Sequence, residues 1–326
     1  MKSFFSIRNM SQERIVLALA VLLFLAAGVG LPGFLAVDNL VAIVRSVSVL
    51  GILAVGMAVV IIGRGIDLSA VAIMAMSVAW YLQMLNDGRP GTTALLLALG
   101  FVILIGLVNG FFIAYADVPA IFATLASGAF VFGFVRSQLI GQDATPVPPH
   151  NWIEELGRLR FLNIPIEVFF FAAIAFLAFL FLRFAKWGRY VYLMGDNPMA
   201  ARNMGIPVRP MMVLRYVLSA VIAFAAGILT AAGLLSINTR VVNSTLLYDI
   251  ILVVVFGGIG LTGGRGGVRN VIVGALLIGI MLNAMTILDI PNIYQNLIKS
   301  TILLVAIIID SILNPRDEQT AQQGDI

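Results

Sequence analysis

Leu40-Val41-Ala42-Ile43-Val44-Arg45-Ser46-Val47-Ser48-Val49-Leu50-Gly51-Ile52-Leu53-Ala54-Val55-Gly56-Met57-Ala58-Val59-Val60-Ile61-Ile62 is an apolar run with one charge, Arg45. As a helix rising 1.5 Å per residue it would extend about 34 Å, enough to cross the roughly 30 Å hydrocarbon core of a bilayer. A polar break, Gly63-Arg64-Gly65-Ile66-Asp67-Leu68-Ser69, ends it, and another apolar stretch follows. Working outward in both directions, the same alternation recurs to each terminus. It predicts ten spans, at 15–36, 40–62, 67–85, 93–115, 118–140, 165–185, 210–235, 246–261, 268–288 and 293–313. The fold class expected is an all-α integral membrane protein, with residues 1–326 forming a single transmembrane domain.

Composition agrees. Of 326 residues, 61% are hydrophobic and 11% charged, against about a quarter charged in soluble domains, and the mean hydropathy is +1.05. A soluble α/β enzyme is excluded. With no Cys and only His150, the chain has no disulfide, no thiolate nucleophile and no His or Cys cluster for a metal. The formal charge of +4 comes from arginines scattered over short loops rather than a basic stripe with aromatic platforms, so no nucleic-acid partner is expected.

The basic residues orient the spans. With the N-terminus inside, the cytoplasmic segments collect Lys2, Arg8, Arg14, Arg64, Arg183, Lys186, Arg189, Arg202, Arg209, Arg215, Arg265, Arg269 and Arg316. Only Arg89, Arg158, Arg160 and Arg240 fall in outer loops, the bias expected of cytoplasmic loops, and both termini are then inside. Arg45, Arg136, Asp249, Lys299 and Asp310 lie near span ends, where snorkelling explains them. In the longest outer loop, 141–165, Asn151 and Glu154 can cap a short helix whose apolar face is Trp152, Ile153, Leu156 and Leu159. That helix is either a lid on the bundle or a docking surface.

An internal echo joins the two halves. Asp117-Val118-Pro119-Ala120-Ile121-Phe122-Ala123-Thr124-Leu125 and Asp289-Ile290-Pro291-Asn292-Ile293-Tyr294-Gln295-Asn296-Leu297 share D-[VI]-P-x-I-[FY]-x-x-L. The copies open spans that run in opposite directions, as an inverted repeat of helices two to five and seven to ten requires. Asp with Pro is also a generic helix start, so the echo admits chance similarity.

The stretch 186–209 is too polar for lipid. Asn197 can cap a helix beginning at Pro198, and Gly205 can end it before Pro207 and Pro210. Ala200 and Ala201 would let another backbone approach. This segment resembles the permease subunits of ribose/galactose-type bacterial ABC importers, through Gly188, Arg189, Gly195, Asn197, Ala200, Ala201, Gly205 and Ile206. Similar family patterns are Gly65-Ile66-Asp67-Leu68-Ser69, Asn109-Gly110 with Phe122-Ala123-Thr124-Leu125, and Gly257-Gly258 with Gly263-Gly264-Arg265-Gly266.

The resemblance implies that 196–206 is a coupling helix seated in a separate ATPase subunit. The implied partners are that ATPase, a periplasmic solute-binding protein and a second or homologous permease. The implied location is the bacterial inner membrane, and the implied cargo a sugar-like solute.

This chain carries no G-x-x-x-x-G-K-[ST] phosphate loop. It is therefore expected to be no enzyme and to bind no cofactor, with ATP and Mg used by the partner. The Gly-rich run 257–267 reads as close packing or a tight turn. For the solute path the candidates are Asp67, Ser69, Asn109, Phe122, Thr124, Asn283 and Asn296, although Asp67 also reads as a helix cap at the surface. Carboxylates buried mid-span, the mark of an ion-coupled secondary transporter, are not expected; that transporter is the alternative reading.

Overall fold

The computed structural model describes residues 12–313, with side chains to 308. The expected inner residues Lys2, Arg8 and Arg316 lie outside the described residues, as does the side chain of Asp310.

Thirteen helices follow in order: α1 (Gln12–Gly30), α2 (Val37–Ile62), α3 (Ala70–Asn86), α4 (Gly91–Tyr115), α5 (Ala120–Phe134), α6 (Trp152–Arg158), α7 (Ile166–Phe184), α8 (Lys186–Asp196), α9 (Pro198–Asn203), α10 (Val208–Leu234), α11 (Leu246–Phe256), α12 (Val268–Ile287) and α13 (Asn292–Leu313). A π-helical turn at Val135–Ile140 lengthens α5. Seven helices are long and apolar enough to cross a membrane: α1, α2, α4, α5 with its π turn, α7, α10 and α12. Three further apolar helices are shorter: α3, α11 and the described part of α13. At about 1.5 Å per residue α11 extends only about 17 Å, well under a bilayer core. These ten helices overlie the ten predicted segments. The eighth stops early because Gly257 and the positive-φ Gly258 turn the chain there.

Two ladders were not anticipated. β1 (Ala144–Pro146) pairs antiparallel with β4 (Ser236–Asn238), and β2 (Arg160–Phe161) pairs with β3 (Ile164–Pro165) in a tight hairpin. We call this the hairpin end of the bundle. The other is the glycine end, where the 63–69 segment, α8–α9 and the 257–267 turn meet.

α2 and α10 form the centre and pack on each other. α10 lies against α3 and α4, and α2 against α11 and α12. Close approach at α4 comes from Gly106 and Gly110, one turn apart, where a Cβ would strike the α10 backbone at Val217 and Val213. Gly257 and Gly274 do the same between α11 and α12. The D-x-P echo is also a backbone echo. Asp117 and Asp289 both have φ +51, and Pro119 and Pro291 each accept from the two amides that open the next helix.

Candidate functional site

At the glycine end, α8 folds back against α7 because Gly188 leaves room for the Phe181 carbonyl. The spacing of Gly188, Val191, Met194 and Gly195 makes a buried stripe, a signal for α8 that the reading of this stretch as one short helix passed over. The expected cap of α9 is present: Asn197 Oδ1 accepts from the Ala200 amide at 2.9 Å. Gly205 at φ +77 ends the helix, with the Ile206 amide reaching the Ala201 carbonyl.

Half of the eight predicted coupling residues face inward. Gly188, Gly195, Ala201 and Ile206 are buried in their own bundle, so Ala201 does not offer the outward approach expected of it. Arg189, Ala200 and Gly205 are exposed, beside exposed Leu193, Met199 and Met204. Gly195 sits directly on the Ile62 carbonyl, where no Cβ would fit, and that carbonyl accepts from the Gly264 amide at 2.8 Å. Tyr192 donates to the Gly266 carbonyl at 2.8 Å, and burial pushes its phenol pKa up. α8 is thereby keyed to the end of α2 and to the 257–267 turn together. The Gly-rich run does serve close packing here.

Inside this end is a polar knot. Asp67 is not a surface cap but is fully buried. Its Oδ1 accepts from the Ser69 amide and hydroxyl, and its Oδ2 from Ser219 at 2.7 Å. Asn109 donates to Ser69 at 2.9 Å, and Thr124 accepts from the Leu68 amide at 3.1 Å. Four predicted path residues are thus brought together: Asp67, Ser69 and Asn109 are bonded in series, Thr124 holds the neighbouring Leu68 amide, and Asn109 Oδ1 is buried without a partner. Sequence reasoning missed the α10 contributors. Ser219 closes the knot, and Tyr216 stands beside it, with its hydroxyl on the Ile66 carbonyl at 3.5 Å. Arg215, read as one of the cytoplasmic basic residues, is only 2% exposed, with Nε and Nη1 unpartnered. Gly63 and Gly65 make room for Arg215 and Tyr216.

The other three path candidates are elsewhere. Phe122 projects outward from α5. Asn283 forms a reciprocal amide pair with Asn39 of α2, at 2.8 and 3.1 Å. Asn296 lines a shallow groove of about 490 Å³ on α13 with Ile293, Tyr294, Leu297 and Ser300.

Four of the five span-end charges, Arg45, Arg136, Asp249 and Lys299, find partners within the protein, and snorkelling is not the account of these. Glu167, 1% exposed, meets Arg45 Nε at 2.9 Å. Lys299 meets Asp249 at 3.0 Å and Thr245 at 2.6 Å. Asp143 takes both Arg136 and Arg240, each at 2.7 Å. Buried carboxylates exist at Asp67, Glu167 and Asp249, each with donors or a cation beside it, and all three stand in the 63–69 break or in the first turn of a helix rather than mid-span. The Trp152–Arg158 helix packs on the bundle: its cap Asn151 accepts from Ile153 at 3.1 Å, Ile153 is fully buried, Trp152 donates to Tyr81 at 3.0 Å, and Gly157 rests on Ala232 of α10, while Trp152 and Leu159 of the expected apolar face are exposed. Among the described residues no group of three or more His, Cys, Asp or Glu is placed to hold a metal.

Residues 39–307 match the family described as "Branched-chain amino acid transport system / permease component". The chain is 31% identical to the ribose import permease protein of Haemophilus influenzae over 95% of its own length and 96% of that protein. It is 30% identical to the ribose import permease protein of Bacillus subtilis, covering 86% of each chain. With the galactofuranose transporter permease protein of Escherichia coli it shares 35% identity over 80% of this chain and 76% of that one. No solved structure matches significantly.

Proposed function

The chain belongs to this family of transport-system permease components, and from that premise we propose that it is the membrane subunit of an ATP-binding-cassette importer carrying a sugar or sugar-like polar solute into the cytoplasm. It is a multi-pass all-α membrane protein. The finer reading is ten membrane helices with both termini on the ATPase side of the bacterial inner membrane. Helices α2–α5 and α10–α13 are inverted copies, a pairing supported by the shared φ +51 aspartates and by the way α2 and α10 each pack on two helices of the other half.

The observation that carries the coupling role is the seating of α8–α9. Its exposed face, Met199, Ala200 and Met204, is free for a groove in an ATPase subunit, while its buried face is keyed to Ile62 and Gly264. Tilting this segment would push α2, in one half, and the 257–267 turn, in the other. ATP and Mg would be bound and used by the ATPase subunit rather than by this chain. A second permease, identical or homologous, would complete the path, and a periplasmic binding protein would supply the solute.

The direct test reconstitutes the chain with the ATPase and binding protein encoded beside it, and follows radiolabelled ribose or galactose into liposomes on adding ATP. Uptake that requires all three components, and that fails in Gly195→Ala while the variant remains folded, supports the reading. Accumulation by the chain alone down an ion gradient overturns it in favour of a secondary carrier. A thermal-shift screen in which the binding protein responds only to amino acids would leave the importer but remove the sugar.

A further inference from the structure

Between α6 and α7, residues 160–165 make a hairpin whose two central residues, Leu162 and Asn163, have φ +53 and +64. Such turns favour Asn-Gly or Asp-Gly, because a branched side chain crowds the backbone at positive φ. Leucine is the wrong residue for the turn, and it gains nothing within the chain, being 79% exposed. Its neighbours Phe161, Leu159 and Ile164 are 61%, 54% and 40% exposed. An apolar tip held in a disfavoured backbone conformation and presented outward is unfavourable twice over in water. In hydrocarbon the exposure costs nothing.

Two further observations identify what covers it. Phe161 packs edge-on against Phe169 in the first turn of α7, with ring centroids 5.5 Å apart. α7 continues the same apolar surface through exposed Phe170, Phe176 and Leu177, so the tip prolongs the lipid-facing side of a spanning helix. Arg158 and Arg160 lead into the tip, both exposed; Arg158 is held by Glu154 one turn back, while Arg160 has no ion pair among the described residues. An apolar tip with guanidinium groups at its base is the pattern of an interfacial anchor on anionic lipid.

We propose that the 160–165 hairpin inserts Phe161 and Leu162 into the headgroup–acyl boundary and sets Arg160 against lipid phosphate, fixing the depth and tilt of α7. A docked protein would instead need the patch to face away from the bilayer; its continuity with α7 places it beside the bundle, against lipid.

Because the natural chain has no cysteine, single labels can be added without removing any. Leu162→Cys carrying a nitroxide, in nanodiscs of phosphatidylcholine with phosphatidylglycerol, should collide more with oxygen than with a water-soluble nickel chelate, as a Phe176→Cys label does. Arg89→Cys supplies the aqueous reference, and Asn163→Cys repeats the measurement if the first label perturbs the turn. A Leu162 label that ranks with Arg89 overturns the proposal. So does one shielded only when the solute-binding protein is added, which would make the hairpin a docking site. Phosphatidylglycerol should raise the oxygen-to-nickel ratio, and Arg160→Gln should abolish that rise; a rise that survives removes the phosphate contact.

Discussion

Asp67 and Asp249 stand at the start of two of the shorter apolar helices, α3 and α11, at opposite ends of the bundle. Each start is tied to a peripheral helix, the first through Thr124 of α5 and the second through Lys299 of α13. The geometry is parallel but the chemistry is not. Asp67 is satisfied by two serine hydroxyls and an amide, Asp249 by a buried ammonium. The contrast extends over each end. Arg45–Glu167, Arg136–Asp143, Arg240–Asp143 and Lys299–Asp249 all cluster toward the hairpin end, whereas Gly195, Gly257, Gly263 and Gly264 close the other by backbone contact. Exchanging hydrogen bonds or van der Waals contacts costs less than separating a buried ion pair. The ion pairs with a buried member, Arg45–Glu167 and Lys299–Asp249, lie at the hairpin end, whereas buried Asp67 and Arg215 at the glycine end form no ion pair among the described residues. The hairpin end is therefore the more strongly pinned, and the glycine end, where an ATPase is proposed to dock, the more able to yield.

The largest test of this contrast is Lys299→Met. It leaves Asp249 buried without its cation and should cost about 3–5 kcal/mol of stability, with most of the loss recovered in Lys299→Met/Asp249→Leu. Denaturant unfolding in detergent measures both; a single variant within about 1 kcal/mol of wild type would break the distinction. Asp67→Ala should cost less, about 1–3 kcal/mol, because it strands hydroxyls rather than a charge, and Asp67→Asn less again.

Arg215→Met should move the other way. Removing a buried guanidinium whose Nε and Nη1 have no partner is expected to raise stability by about 1 kcal/mol, and a loss of that size would mean that Arg215 is paired after all.

Asp143 supplies the smallest effect. The Arg240 hydrogen bond, helped by the charge of Arg136, holds its carboxyl below the usual carboxylate range. With the folded-state pKa lowered, the contribution is complete above the ordinary carboxylate pKa and is lost as pH falls through the lowered value. Acid should therefore lower the melting temperature slightly more in wild type than in Asp143→Asn; identical profiles would show the exposed cluster to be silent.

Much of this was legible in order along the chain. The Asn197 cap and the Gly205 stop are local signals, read from residues that act within one turn. So is the Asn151 cap of α6. Arg45, Lys299 and Ala201 were misread for one reason: each has a reading from its own neighbours, as a snorkelling cation or an outward-facing small residue. Their actual environment comes from Glu167, Asp249 and the bundle wall, all distant in sequence.

By itself the sequence determined that this is an all-α multi-pass membrane protein and where many of its helices break. Hydrophobic length and capping are properties of contiguous residues. Only the tertiary structure decided which polar groups are buried together. It gathered Asp67, Ser69, Asn109 and Thr124 around one buried break beside Ser219, gave Arg45, Arg136, Asp249 and Lys299 partners within the protein, and sent Phe122, Asn283 and Asn296 to separate places. In a low-dielectric interior a polar group must be satisfied from whichever helix the fold brings beside it, and that helix is not named by any local pattern.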